Sequence, residues 1–388
     1  MKKILSYLFS LCMVLGLASC QKNIPAPDVD GPELDGPTGV ISVKLMASDG
    51  ETKATAIADG PADISSVQLF VFTTDGKLET SKYFDSYNSS TDLKITAKQG
   101  AGKTLYVVLN SARLNFSSID RFENPSSSSI ADLVDLSANT TEKVIMVGKN
   151  TVDVVEYDPN KTASPVLSPV TVHLKRLTAK VVLDQINVDF RNTALEGGTF
   201  TLNQVYLVNV VGKSPYGVQT IGTGTADTGI PVALPTAHMN TLSYWYNVTT
   251  LQSSPLAPAV TYDAAIADPT CSVSGSPKAL GLMYLAYPNP ADAFQESATA
   301  PSAPVHTSIV LKATVTSGGN VDAPINKVTY YTFDLPKLEA NKLYRITKID
   351  ITMLGADNPG ERVVTGKIDP TITVDDWTPY VQNLTYEF

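Results

Sequence analysis

Cysteine is nearly absent, with three in 388 residues. Cys12 lies inside an N-terminal apolar run and Cys20 closes it, which leaves Cys271 for the rest of the chain. One cysteine cannot close an intramolecular disulfide, so stability has to come from core burial. A buried, inert thiol is the expectation for Cys271, with a reactive one as the alternative. Histidine is equally scarce: His173, His238 and His306 lie far apart and show no metal-ligand spacing. His173, in "TVHLK", reads as an ordinary sheet histidine. There is no HExxH, CxxC or GxSxG pattern. The glycines of "GTGTADTG" (222–229) lack a phosphate-loop lysine and a strand–loop–helix context, so they read as a loop. No metal, cofactor or enzymatic activity is expected. Charge is sparse at 17%, and the net charge of −9 repels phosphate backbones, which argues against nucleic acid as a partner.

Long apolar runs are limited to one. "ILSYLFSLCMVLGLA" follows Lys2 and Lys3 and is too short to span a bilayer, so residues 1–19 read as a secretory leader. "LASC" (17–20) resembles a bacterial lipobox, with Cys20 as the acylated residue; an ordinary leader cut after a small residue is the alternative. Acyl chains on Cys20 would tether the chain to a membrane, each buried methylene contributing about 0.8 kcal/mol. Residues 21–39, "QKNIPAPDVDGPELDGPTG", read as a flexible tether.

Beyond the leader, threonine, valine, serine and tyrosine are prominent, and there are 24 glycines and 25 prolines. That balance favours strands joined by turns. In "VISVKLM", Ile41, Val43 and Leu45 alternate with Ser42, Lys44 and Met46, the period of a half-buried strand. The turn-rich "ASDGETKATAIADGPAD" follows and carries the Lys53–Ala54 bond. "ISSVQLFVFTTDGKLETSKYF" predicts a hairpin at Asp75-Gly76, and "LKITAKQGAGKTLYVVLN" a further strand pair around Gly100–Gly102. "SSSSIADLVDL" places Ile130, Leu133 and Val134 at helical spacing and predicts one short helix. Strand patterns then continue through "SPVTVHLKRLTAKVVLDQINVDF", which passes from one domain to the next near Arg176 and Leu177, and on to the C-terminus. The expected fold is all-β: two tandem antiparallel β-sandwiches over 54–176 and 177–388.

Asp375 and Asp376, ahead of Trp377, are poorly placed to share one substrate and read as solvated turn residues. In "SYWYN", Tyr244 and Tyr246 share a side opposite Trp245. Sheet packing is the expectation there, with a sugar-stacking platform as the alternative. The tail "YVQNLTYEF" (380–388) puts Leu384, Tyr386 and Phe388 on one face. It reads either as an edge strand of its own sheet or as a strand available to another molecule.

Leader and lipobox, a first strand that could be shed, a basic cut site, the all-β composition and the closing "VDDWTPYVQNLTYEF" together resemble the FimA-type fimbrillins. These are the type V pilus subunits of Bacteroidales. The similarity is clearest in "GVISVKLM", "VQLFVFTTDG", "KTLYVVLN" and "HLKRLTAKVVLDQI". The resemblance implies transthyretin-like sandwiches and a structural role in a cell-surface fimbria that supports adhesion. It also implies export as an outer-membrane lipoprotein through Cys20, with 20–53 as a lipidated propeptide. A trypsin-like protease would cut after Lys53, leaving Ala54 as the mature N-terminus, although arginine is the usual family residue there. Polymerisation would follow by donor-strand exchange, with Tyr380, Leu384, Tyr386 and Phe388 as donor anchors for another pilin subunit. Host or bacterial adhesion ligands are further implied partners.

Loss of strand 40–46 from a sandwich would expose two sheet edges and the pockets of Ile41, Val43 and Leu45, a template for any strand of matching pattern. A head-to-tail contact that does not close on itself builds a filament. Two other roles fit the same residues. One is an anchor or tip subunit of such a fimbria; the other is a glycan-binding surface lipoprotein using Tyr244 and Tyr246. An enzyme such as a glycoside hydrolase is a third reading, and the sequence shows no recognisable carboxylate constellation for it.

Overall fold

Period-two alternation becomes strand along most of the described residues. The computed structural model describes residues 34–47, 64–88, 91–123, 133–140, 143–156, 167–208, 210–211, 213–217, 245–246, 269–289, 307–318, 324–357 and 372–376. The first half holds β1 (Thr38–Ala47), β2 (Val67–Phe72), β3 (Leu78–Phe84), β4 (Lys94–Lys98), β5 (Gly100–Leu109), β6 (Val134–Asp135), β7 (Met146–Val154) and β8 (Leu167–Arg176). Seven of these form one hydrogen-bonded path, β3-β2-β5-β7-β8-β1-β4.

The path folds over on itself between β7 and β8. Their ladder is two pairs long, Met146 with Arg176 and Val147 with Lys175. A Cβ on Gly148 would sit 2.4 Å from the His173 carbonyl oxygen, so only glycine lets β7 cross β8 this closely. The result is a sandwich with β3-β2-β5-β7 in one layer and β8-β1-β4 in the other. Between them lies an aliphatic core that includes Ile41, Leu69, Ile95, Val107, Val152 and Val172.

β2 is buried on both faces, which is why "VQLFVF" reads as a nearly continuous apolar run. Its second face carries Phe70 and Phe72, covered by α1 (Ile119–Glu123). Phe122 of that helix stands 5.6 Å from Phe70, 4.4 Å from Tyr106 and 4.9 Å from Phe116, ring centre to ring centre.

The second half holds β9 (Ala179–Val188), β10 (Thr199–Val208), β11 (Val210–Val211), β12 (Lys213–Ser214), β13 (Trp245–Tyr246), β14 (Thr270–Cys271), β15 (Lys278–Ala286), β16 (Ser308–Thr316), β17 (Asn326–Asp334), β18 (Lys342–Ile346), β19 (Ile349–Ile351) and β20 (Ile372–Asp376). One sheet runs β14-β10-β16-β17; the other runs β15-β9-β18-β20, with β19 also on β9. Their facing sides share one core, and the Tyr284 hydroxyl crosses it to donate to the Val205 carbonyl at 2.9 Å.

That core is continuous with the aromatic cluster around Phe122. The join is hydrogen-bonded as well. β6 pairs with β12, Asn139 Nδ2 donates to the Tyr287 hydroxyl at 2.9 Å, and the Ser111 and Tyr216 hydroxyls are 3.3 Å apart.

The fold is all-β, as the sequence implies, with four departures in detail. The pairing is not purely antiparallel: β1 lies parallel to β8, and β18 and β19 lie parallel to β9. Second, β4 and β5 are consecutive strands but not a pair, because a single residue, Gln99, carries the chain from one layer to the other. Third, the described part of the segment read as a helix forms β6 and one 3-10 turn (Leu136–Ala138), with Val134 in the strand; the short α-helix lies earlier, at Ile119–Glu123. Ile130 lies outside the described residues. Finally, Asp375 and Asp376 are in strand β20, opposite Leu343 and Lys342, rather than in a turn.

Candidate functional site

β1 is an interior strand, although it is the first strand of the described chain. On one side eight positions, Val40 to Ala47, pair in parallel with Leu167 to Leu174 of β8. On the other, Thr38 to Ser42 pair antiparallel with Lys98 to Lys94 of β4. The ladder is extended at each end, since the Val43 amide donates to the Leu93 carbonyl and the Gln99 amide to the Pro37 carbonyl, both at 2.9 Å.

Alternation fixes which side chains enter the core. Ile41 is fully buried, Val43 is 8% exposed, and Leu45 is half-buried against the same aliphatic cluster. Lys44 is exposed. At the start of the strand, a Cβ on Gly39 would lie 1.9 Å from the Val155 carbonyl oxygen. The end of β7 therefore presses on bare backbone at that point.

Taking β1 away in thought leaves two facing rows of unpaired backbone donors and acceptors, one on β8 and one on β4. Between them opens a trough floored by the aliphatic core. At about 1.5–3 kcal/mol for each fully buried aliphatic side chain, Ile41 and Val43 dominate the seating energy. Hydrogen bonds to both walls fix the register. This arrangement can bind an extended strand of matching pattern. Among the described residues no group of three His, Cys, Asp or Glu side chains could hold a metal ion. Among the same residues, no helix is long and apolar enough to cross a membrane.

Cys20, Lys53, Ala54, Tyr380, Leu384, Tyr386 and Phe388 lie outside the described residues, as do Tyr244, His238 and His306. His173 is exposed on β8, at the register position of Met46. Trp245 and Tyr246 pair with Val211 and Val210 in a two-strand ladder. Cys271 is buried on β14, its sulfur 3.8 Å from the Pro269 carbonyl.

Sequence reasoning missed an ion pair beside the end of β4. Glu79 of β3 and Lys103 of β5 are a buried ion pair, each 6% exposed, and Glu79 Oε1 accepts the Lys98 amide of β4 at 2.7 Å. Each is an isolated charge in a strand-forming segment, and nothing in the local pattern marks the two as partners.

No family model matches the chain, and no curated protein matches it. Solved structures do. A candidate cell adhesion protein from Bacteroides eggerthii superposes with a TM-score of 0.57 at 19% identity, over 90% of this chain and 98% of that one. A candidate cell adhesion protein from Parabacteroides distasonis gives 0.55 at 16% identity, over 88% and 100%. A fimbrilin (FimA) from Porphyromonas gingivalis W83 gives 0.53 at 16% identity, over 88% and 97%. The class of protein defined here is an all-β protein of two packed sandwiches. More particularly, the chain has the fold shared by these adhesion proteins and the fimbrilin.

Proposed function

We propose that this chain is a structural subunit of a cell-surface fimbria in the FimA-type fimbrillin family, without catalytic activity of its own. It is exported as an outer-membrane lipoprotein through Cys20, cut after Lys53 by a trypsin-like protease, and polymerised by donor-strand exchange. In the uncut chain β1 fills the trough and blocks premature assembly. Once cut, it yields its place to the Tyr380–Phe388 segment of another subunit, with Leu384, Tyr386 and Phe388 taking the pockets of Ile41, Val43 and Leu45. Within this reading the chain divides near Arg176 into an N-terminal unit that accepts a strand and a C-terminal unit that supplies one.

The observation that carries the proposal is the position of β1, laddered on both sides between β8 and β4. An N-terminal strand seated on an outer edge could leave without opening a slot. One seated in the interior cannot. The likeness of fold to a fimbrilin supports the same reading.

The test starts from the chain beginning at Gln21, which lacks the lipid site. Light trypsin treatment should give ladders on denaturing gels and filaments by electron microscopy. The same chain ending at Tyr380 should give neither. Equal polymerisation of the two would remove the tail from the mechanism.

A further inference from the structure

The trough has two walls, and they differ in how they are held. β8 continues into β9 and also pairs with β7. β4 pairs with β1 and with no other strand among the described residues. When β1 leaves, β4 loses its whole ladder, together with the bonds that the Val43 amide donates to Leu93 and the Gln99 amide donates to Pro37. A five-residue strand without a ladder would drift from its place, and an incoming strand would meet one wall instead of two.

Among the described residues, one hydrogen bond ties β4 to a strand other than β1. Consecutive amides at the end of β4 point opposite ways: Gln99 toward Pro37, Lys98 toward Glu79 Oε1 at 2.7 Å. The other Glu79 oxygen is paired with the Lys103 ammonium. Glu79 sits where the β2–β3 register slips, Val71 opposite Thr80 and Phe72 opposite Leu78, so it is the extra residue of a β-bulge. Lys103 borders a second slip, in the β5–β7 register between Gly100 and Lys103. Bulges re-aim side chains, and here two of them direct opposite charges into one buried spot beside the end of β4.

We infer that Glu79 is a positioning residue that holds β4 in place while the trough is empty, so that an incoming strand finds its second wall already formed. The inference rests on the strand-exchange reading. Lys103 fixes the carboxylate, and the carboxylate fixes the Lys98 amide. With β1 or a donor strand seated, the ladder holds β4 and the latch matters little.

The test uses the full chain with its own β1 expelled by Ile41→Asp and Val43→Asp, in two backgrounds. Glu79→Gln with Lys103→Met removes both buried charges and keeps an oxygen for the Lys98 amide. Glu79→Leu with Lys103→Met removes the charges and the oxygen. Trypsin cleavage after Lys94 and Lys98 is read against hydrogen exchange of the β2 amides, which reports global stability. The expected result is at least about tenfold faster cleavage of β4 in the leucine background, with β2 exchange unchanged. A synthetic Thr38–Ala47 peptide should associate at least about fivefold more slowly with that background and dissociate at a similar rate. A merely structural role would move β2 and β4 together.

Equal β4 cleavage in the two backgrounds overturns the inference. Global unfolding of the vacated chain does too, because a slot that needs its own strand to exist is not preformed. If β4 behaves as expected but the peptide does not bind, the latch stands and the strand-exchange reading fails.

Discussion

At the scale of single residues, two positions decide how firmly β1 is seated. Ile41 enters the aliphatic core completely, while Leu45 reaches it only in part. Ile41→Ala should therefore lower the stability of the uncut chain by about 2–4 kcal/mol, and Leu45→Ala by less, as read from urea midpoints. Gly39→Ala forces a methyl group against the Val155 carbonyl and Val154 Cγ1, at 1.9 and 2.7 Å. It should cost about 1–3 kcal/mol by the same measurement. All three effects should vanish in the assembled filament, where β1 has gone; an equal loss in the filament would mean that β1 stays. The alternation of Ile41, Val43 and Leu45 was legible because it is local. The need for glycine at 39 was not, since it arises from Val155, a residue far along the chain that folding brings onto the strand.

At the scale of elements, the short helix shows what local pattern misses. The run of serines before Ile130 looks like a helix start, but the helix forms earlier, where Ser118 Oγ accepts the Arg121 amide at 3.4 Å as an N-terminal cap. Five residues cannot sustain a helix by propensity. Phe122 holds this one, packed edge-on or tilted against Phe70, Phe72, Tyr106, Phe116 and Tyr216. Phe122→Ala should cost about 3–5 kcal/mol in thermal or urea unfolding. It should also detach α1, seen as protease sensitivity within 119–123; a loss below about 1 kcal/mol would contradict that account. Strand pairing was no more legible than the helix. Gly100 and Gly102 both take positive φ, as a hairpin would, yet they bracket a bulge and β4 departs to the opposite layer. The parallel register of β1 on β8 has no local signal, because periodicity states which face is buried and not which strand lies alongside. Of the candidate site, the anchors of β1 could be read from sequence, but neither of the walls that receive them.

At the scale of the whole molecule, the second sandwich and the aromatic face of the first share one core, sealed by the β6–β12 ladder and by Asn139 on the Tyr287 hydroxyl. Its tyrosines tie stability to alkaline pH. Burial pushes the hydroxyls of Tyr331 and Tyr344 well above the ordinary tyrosine value. Tyr216 is raised for the same reason, against a smaller opposing hydrogen bond with Ser111. In the unfolded chain these groups ionise near pH 10. Above that pH the unfolded state binds fewer protons than the folded one, so the free energy of unfolding falls as pH rises. Their contribution is complete below about pH 10 and fades toward the higher values of the folded state. Urea midpoints should hold level up to about pH 9.5 and then decline steeply. Replacing both Tyr331 and Tyr344 by phenylalanine should flatten that decline, at the expense of their hydrogen bonds to Met353 and Lys337, both at main-chain oxygens. Because Tyr216 lies at the join and the other two lie in the second sandwich, near-ultraviolet and far-ultraviolet signals should fall together through the decline. Separate transitions would mean that the shared core does not couple the two sandwiches.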